Sequence, residues 1–179
     1  MEENQANSRT ITRNEVKARL EGVKLEDMSA QDLFDRYITY GTPEELNHTG
    51  VQKHLIKYGY LEYLIRIVEK LVVTEAVIEE MKSSQLFKTK GYVIKRGIIE
   101  HIEIGKYHWL PDDYVWLIFE VQDENKQDRY TIKYLRVKQK FKTRLKTLRG
   151  KPIMAIVEQK NDELFAVCFL VMSGGIGEY

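Results

Sequence analysis

The sequence predicts an α+β chain: a small helical bundle over residues 11–85, then a module of five strands and one helix over 86–172, with loose tails at 1–10 and 173–179. Three observations predict it. Up to Ser83-Ser84 apolar residues recur about every fourth position, and beyond it about every second. The charge divides at the same place: residues 1–85 hold 11 Lys or Arg against 15 Asp or Glu, and residues 86–179 hold 17 against 12. Gly stops, capping residues and an Asn-Asp pair punctuate both halves at spacings that suit short elements.

In the first half, residues 1–10 lack apolar anchors, and Ile11, Val16 and Leu20 open a helix that Gly22 ends. Ser29 with Asp32 reads as an N-cap ahead of Leu33, Phe34, Tyr37 and Ile38, with Gly41 as the stop. Thr42-Pro43-Glu44-Glu45 writes a second start, with proline at the first helical position and acids at the positive end of the helix dipole. Thr49 is the expected cap of a third helix ending at Gly59, and residues 60–82 read as one long amphipathic helix that Val72, Val73 and Thr74 can interrupt. Tyr58, Tyr60 and Tyr63 suit a protein interface, so this acidic half is expected to contact a partner or to self-associate.

In the second half, residues 92–105 alternate with β-branched side chains, with Gly91 and Gly97 where a bent strand needs no side chain. Leu110-Pro111-Asp112-Asp113 is a turn, 114–121 a strand, 123–128 a polar connection and 129–137 a third strand. Residues 138–148 form a helix with Phe141, Leu145 and Leu148 on one face, Gly150 stops it, and strands 152–159 and 164–172 follow, joined at Asn161-Asp162. This order resembles the OB-fold, which implies a five-stranded antiparallel Greek-key β-barrel with a helix between its third and fourth strands over residues 87–172. An SH3-like barrel or a twisted antiparallel sheet packed on the helix satisfies nearly the same order.

Composition narrows the function. A chain with 43% hydrophobic and 31% charged residues is built to fold, not to stay disordered. The single cysteine, Cys168, lies in an apolar run and reads as a buried structural thiol; with no disulfide partner, a reducing compartment is expected. Residues 1–13 are polar, and no window approaches the roughly 20 apolar residues of a membrane span, so the expected location is the cytoplasm. The four histidines (His48, His54, His101, His108) show no metal-ligand spacing, and phosphate-loop, dinucleotide and nucleophile-elbow motifs are lacking. Asp112-Asp113 and Asp123-Glu124 read as solvated turn acids. The expectation is a non-enzyme without metal or cofactor.

Between Lys126 and Lys151 stand 11 Lys or Arg against one acid, Asp128, on a chain whose net charge is +1. A charge so concentrated is an electrostatic footprint for an anion. Unpaired bases additionally need flat rings, and several lie nearby. The expected nucleic-acid site, single-stranded by preference, therefore combines Lys133, Arg136, Lys138, Lys140, Lys142, Arg144, Lys146 and Arg149 for phosphates with Trp109, Tyr114, Trp116 and Tyr134 for bases. Two rivals stand beside it. The basic helix can dock on an acidic protein surface, as an inhibitor or a phage or mobile-element assembly component would. The short capped helices of the first half can form a duplex-reading helix-turn-helix, against which their net −4 argues.

Overall fold

A computed structural model describes residues 11–68, 70–106, 114–125, 127–138, 143–144 and 146–173; the side chains of Arg136 and Lys138 fall outside that description. The expected tail at 1–10 and all but Ser173 of that at 173–179 lie outside it too, as do most of the expected helix 138–148 and the whole turn at 110–113. Of that helix, Thr143, Arg144 and Lys146 are helical, and Thr147–Gly150 turn back toward the sheet.

Seven α-helices occur among the described residues: α1 (Arg13–Arg19), α2 (Ala30–Leu33), α3 (Pro43–Leu46), α4 (Thr49–Lys57), α5 (Leu61–Ile67), α6 (Glu75–Ser83) and α7 (Gln85–Lys90). Their starts follow the local chemistry. Thr12, Ser29, Thr42, Thr74 and Ser84 each accept a backbone N–H at a helix start, and Thr42 with Glu45 completes a capping box. At α4 the cap position belongs to His48, which makes no side-chain capping bond; Thr49 is already helical. A π-helical segment, Phe34–Thr39, continues α2. It stops at Gly41, where a Cβ would fall 2.3 Å from the Tyr37 carbonyl oxygen.

The expected long helix over 60–82 is instead two helices separated by a strand, β1 (Lys70–Val73). The β-branched pair Val72-Val73 favours extended backbone, and Thr74 then caps α6. The other strands are β2 (Tyr92–Gly105), β3 (Tyr114–Asp123), β4 (Arg129–Lys138), β5 (Pro152–Lys160) and β6 (Glu163–Met172). Gly91 ends α7 in the left-handed conformation (φ +67°), so it is a helix stop, not a strand bend. Gly97 is the bend: it pairs with both Asp123 and Ile153, and a Cβ there would lie 2.3 Å from the Gln122 carbonyl oxygen.

The strands form one six-stranded sheet in the order β1-β6-β4-β3-β2-β5, and β5 also pairs with β6, so β2 to β6 close into a ring with β1 outside it. The sheet is mixed, not antiparallel throughout as the strand order suggested, because β4 and β1 both run parallel to β6. Asn161 and Asp162, at φ 50° and 65°, make the two-residue hairpin between β5 and β6.

Two hydrophobic cores follow from the alternation. Inside the ring lie Ile99, Val115, Leu117, Phe119, Ile132, Val157 and Phe169, with Leu148 from the β4–β5 connection. The helices and β1 bury Leu33, Leu55, Leu64, Leu71 and Ile78 against Met154, Ile156, Cys168 and Leu170 on the opposite faces of β5 and β6. Each such side chain contributes on the order of 1.5–3 kcal/mol. Because β5 and β6 are covered on both faces, their sequences are nearly continuous apolar runs. Cys168 is buried. Among the described residues no helix is long and apolar enough to cross a membrane.

Candidate nucleic-acid interface

Alternation along β3 sends Val115, Leu117, Phe119 and Val121 into the ring and leaves Trp116, Ile118 and Glu120 on its exterior. The face of β4, ambiguous in sequence because Ile132 and Leu135 differ in parity, is settled by a slip of register. Val115 pairs with Val137 and Leu117 with Tyr134, so two steps on β3 face three on β4. Both Ile132 and Val137 are thereby buried, and Leu135 stays half-exposed.

That geometry places the expected stacking rings differently from one another. Tyr134 points inward, half-buried, its ring stacked on Phe169 with centroids 5.7 Å apart and planes 26° apart. It belongs to the ring's interior, not to an exterior platform for bases. Trp116 is paired with Gly105, and a Cβ on that glycine would fall 1.9 Å from the indole Cζ2, so the absence of a side chain is what seats the indole. Tyr114 is half-buried and stands in register with Lys138. Trp109 lies outside the described residues.

Lys133 lies on the exterior of β4 and forms a 2.6 Å ion pair with Glu163 at the start of β6. Arg136 and Lys138 are carried by the last turns of the β4 ladder, while Lys140 and Lys142 lie outside the described residues. Arg144, Lys146 and Arg149 are exposed on the β4–β5 connection. Arg149 Nε donates to the Glu100 carbonyl at 3.4 Å, and Arg129 Nε pairs with the Glu100 carboxylate at 2.8 Å. Glu100 sits where the β2–β3 register slips between Ile99 and His101. The bulge thus ties two cations to the ring.

Sequence reasoning missed the acids that share this face. Across the sheet, Glu103, Ile118 and Lys133 form one row, and His101, Glu120 and Thr131 the next. Glu163 reaches Lys133 only through the β4–β6 pairing, 30 residues along the chain. No local spacing signals that meeting. Among the described residues the middle of the exterior face is therefore of mixed charge, and at one end the backbone register sets the positions of two rings against those of two expected cations. There, Tyr114 and Trp116 begin β3 opposite Lys138 and the three-residue step that contains Arg136.

At the other end of the ladder, the Tyr130 hydroxyl donates to the Arg96 carbonyl at 2.9 Å, and Lys95 Nζ lies 5.5 Å from its ring centroid. Burial, reinforced by the nearby carboxylates of Asp123 and Glu124, pushes the Tyr130 phenol up to about 12. This is an anchoring residue; its proton stays in place at any physiological pH. Among the described residues no group of His, Cys, Asp or Glu could hold a metal ion. Compared with protein-family models, with curated proteins and with solved structures, the chain matches none of them.

Proposed function

We propose that the strand ring is an OB-like barrel and that the chain is a non-enzymatic accessory protein that binds single-stranded nucleic acid. Support for the barrel comes from the ring order: β2, β3, β4, β6, β5 and back to β2, with a parallel β4–β6 contact and the basic connection between β4 and β5. In OB-folds the second and third strands carry the ligand face. Here those strands are β3 and β4, and the observation that carries the reading lies on them: Tyr114 in register with Lys138, and Trp116 facing the three-residue step that contains Arg136. A strand lying there continues over Arg144, Lys146 and Arg149, cations along its backbone and rings against its bases. Replication or recombination in the cytoplasm is the setting such a module serves.

The test is tryptophan fluorescence titrated with single- and double-stranded oligonucleotides at two salt concentrations. The expected result is tighter binding of single strands, with an affinity that falls steeply as salt rises. Affinity indifferent to salt removes phosphate neutralisation as the basis. A second reading, docking of the basic connection on an acidic protein, is favoured by the mixed charge around Lys133, Glu103 and Glu163; it predicts a stoichiometric protein complex and no oligonucleotide binding.

A further inference from the structure

α4 packs on α6, and each helix buries one stripe: Val51 and Leu55 on the first, Val77, Ile78 and Met81 on the second. The neighbouring stripes face each other across a cleft of about 470 Å³. Lys53, Ile56 and Lys57 line it from α4, together with His54, and Glu80 and Ser83 line it from α6. Steps of three and four residues keep each set on one side of its helix. A cleft of that size suits a small molecule.

The chain does not neutralise the charges in this cleft. Glu79 and Glu62 are taken by Lys82 and Arg66, and among the described residues neither Lys53 nor Lys57 has an ion-pair partner, nor does Glu80. Lys57 Nζ does lie 5.7 Å from the Tyr58 ring centroid, a contact that leaves its charge in place. Two like charges four apart on a helix repel, and they persist here in a half of the chain with 15 acids to 11 bases. The α4 dipole accounts for Lys57, in the last turn, but not for Lys53 one turn earlier. His54 Nδ1 lies 2.8 Å from the Gly50 carbonyl oxygen, which can only accept, so Nδ1 carries the proton and Nε2 is the ring atom left for a ligand. Ser83 adds a hydroxyl with no hydrogen-bond partner among the described residues.

We propose that this cleft binds a small phosphate monoester with a hydroxyl-bearing body, the chemistry of a sugar or polyol phosphate. Two ammonium groups answer the phosphate's double charge, and the imidazole and the Ser83 hydroxyl complete its hydrogen bonds. Glu80 sorts the occupants. A bare inorganic anion is repelled by that carboxylate, whereas a hydroxyl on the ligand donates to it. The inference shares no residue with the nucleic-acid site and stands or falls separately from it.

The experiment follows the histidine ring resonances of the full chain by NMR during titration with inorganic phosphate and with glycerol phosphate. The chain has four histidines, and the signal that His54→Gln removes reports on the cleft, apart from any phosphate held by the basic connection. Glycerol phosphate is expected to move that signal saturably and to bind more tightly than inorganic phosphate. Lys53→Gln and Lys57→Gln should each weaken it about tenfold, and Glu80→Gln should remove most of the preference for the ester. Lys57 and Glu80 are exposed, so their variants should melt as the parent does and carry the test even if Lys53→Gln fails to fold. Four results overturn the proposal: no movement of the His54 signal at millimolar ligand, movement that survives the lysine substitutions, inorganic phosphate bound as tightly as the ester, or a preference that Glu80→Gln leaves intact.

Discussion

Gln52 Nε2 donates to the carbonyl of Val72 at 2.7 Å, and Asn47 Oδ1 accepts the Val72 N–H at 3.0 Å, so two side chains stand in for the missing neighbour of β1. In a parallel pair one residue sends both its backbone groups to the same side, and for Val72 that side faces away from β6. Gln52 is fully buried and holds the Leu46 carbonyl as well. An unprotected strand edge is an aggregation template; here it is closed from within. Gln52→Met keeps the volume and leaves two carbonyls without their donor, so equilibrium urea unfolding is expected to show a loss of about 1–3 kcal/mol. Among the described residues Gln52 Oε1 has no hydrogen-bond partner, so the substitution also relieves one unpaired buried acceptor, and the measured loss is the donor's contribution less that relief.

Gly105→Ala tests the seat of Trp116. The added methyl meets the far edge of an indole, not backbone, so the ring must move. A shifted and red-moved tryptophan emission with little change in melting temperature is expected. If Trp116 stacks on bases, the quenching produced by a single-stranded oligonucleotide falls in the same variant.

Tyr130 predicts an alkaline signature. Its folded-state pKa, about 12, lies above the value near 10 of an unfolded chain. The stability it confers is therefore complete below pH ~10 and drains away as pH climbs through ~12. Ultraviolet titration of the 11 tyrosines should show a late-ionising phenol that Tyr130→Phe removes, and losing the bond to Arg96 should cost about 1 kcal/mol.

The helix starts at Ser29 and Thr42 and the turn at Asn161-Asp162 were legible because their causes are local: a hydroxyl one turn before an amide, or two residues that tolerate positive φ. β1 was not, since Leu71 and Val72 continue the helical stripe of 61–81 while Leu71 and Val73 share one face of a strand; only pairing with β6, a hundred residues away, decides between them. The same limit applies to the candidate site. Composition located the cations, but whether Lys133 meets solvent or Glu163, and whether Tyr134 faces outward or onto Phe169, depends on register and on one bulge. Neither leaves a trace in spacing along the chain.

The Lys133–Glu163 pair turns that dependence into a functional prediction. With side chains 31% and 48% exposed, the pair contributes little to stability, so Glu163→Gln should leave the melting temperature nearly unchanged. Its effect on binding should be larger, because the carboxylate occupies a cation that the proposed interface would otherwise offer to a phosphate. Removing the negative charge should raise single-strand affinity a few-fold at low salt and steepen the dependence of log K on log salt by up to about one phosphate contact. Lys133→Gln should do the reverse. If both variants bind as the parent does, the strand does not cross the exterior of β4 at this row and runs only over the Tyr114–Trp116 end and the connection beyond it.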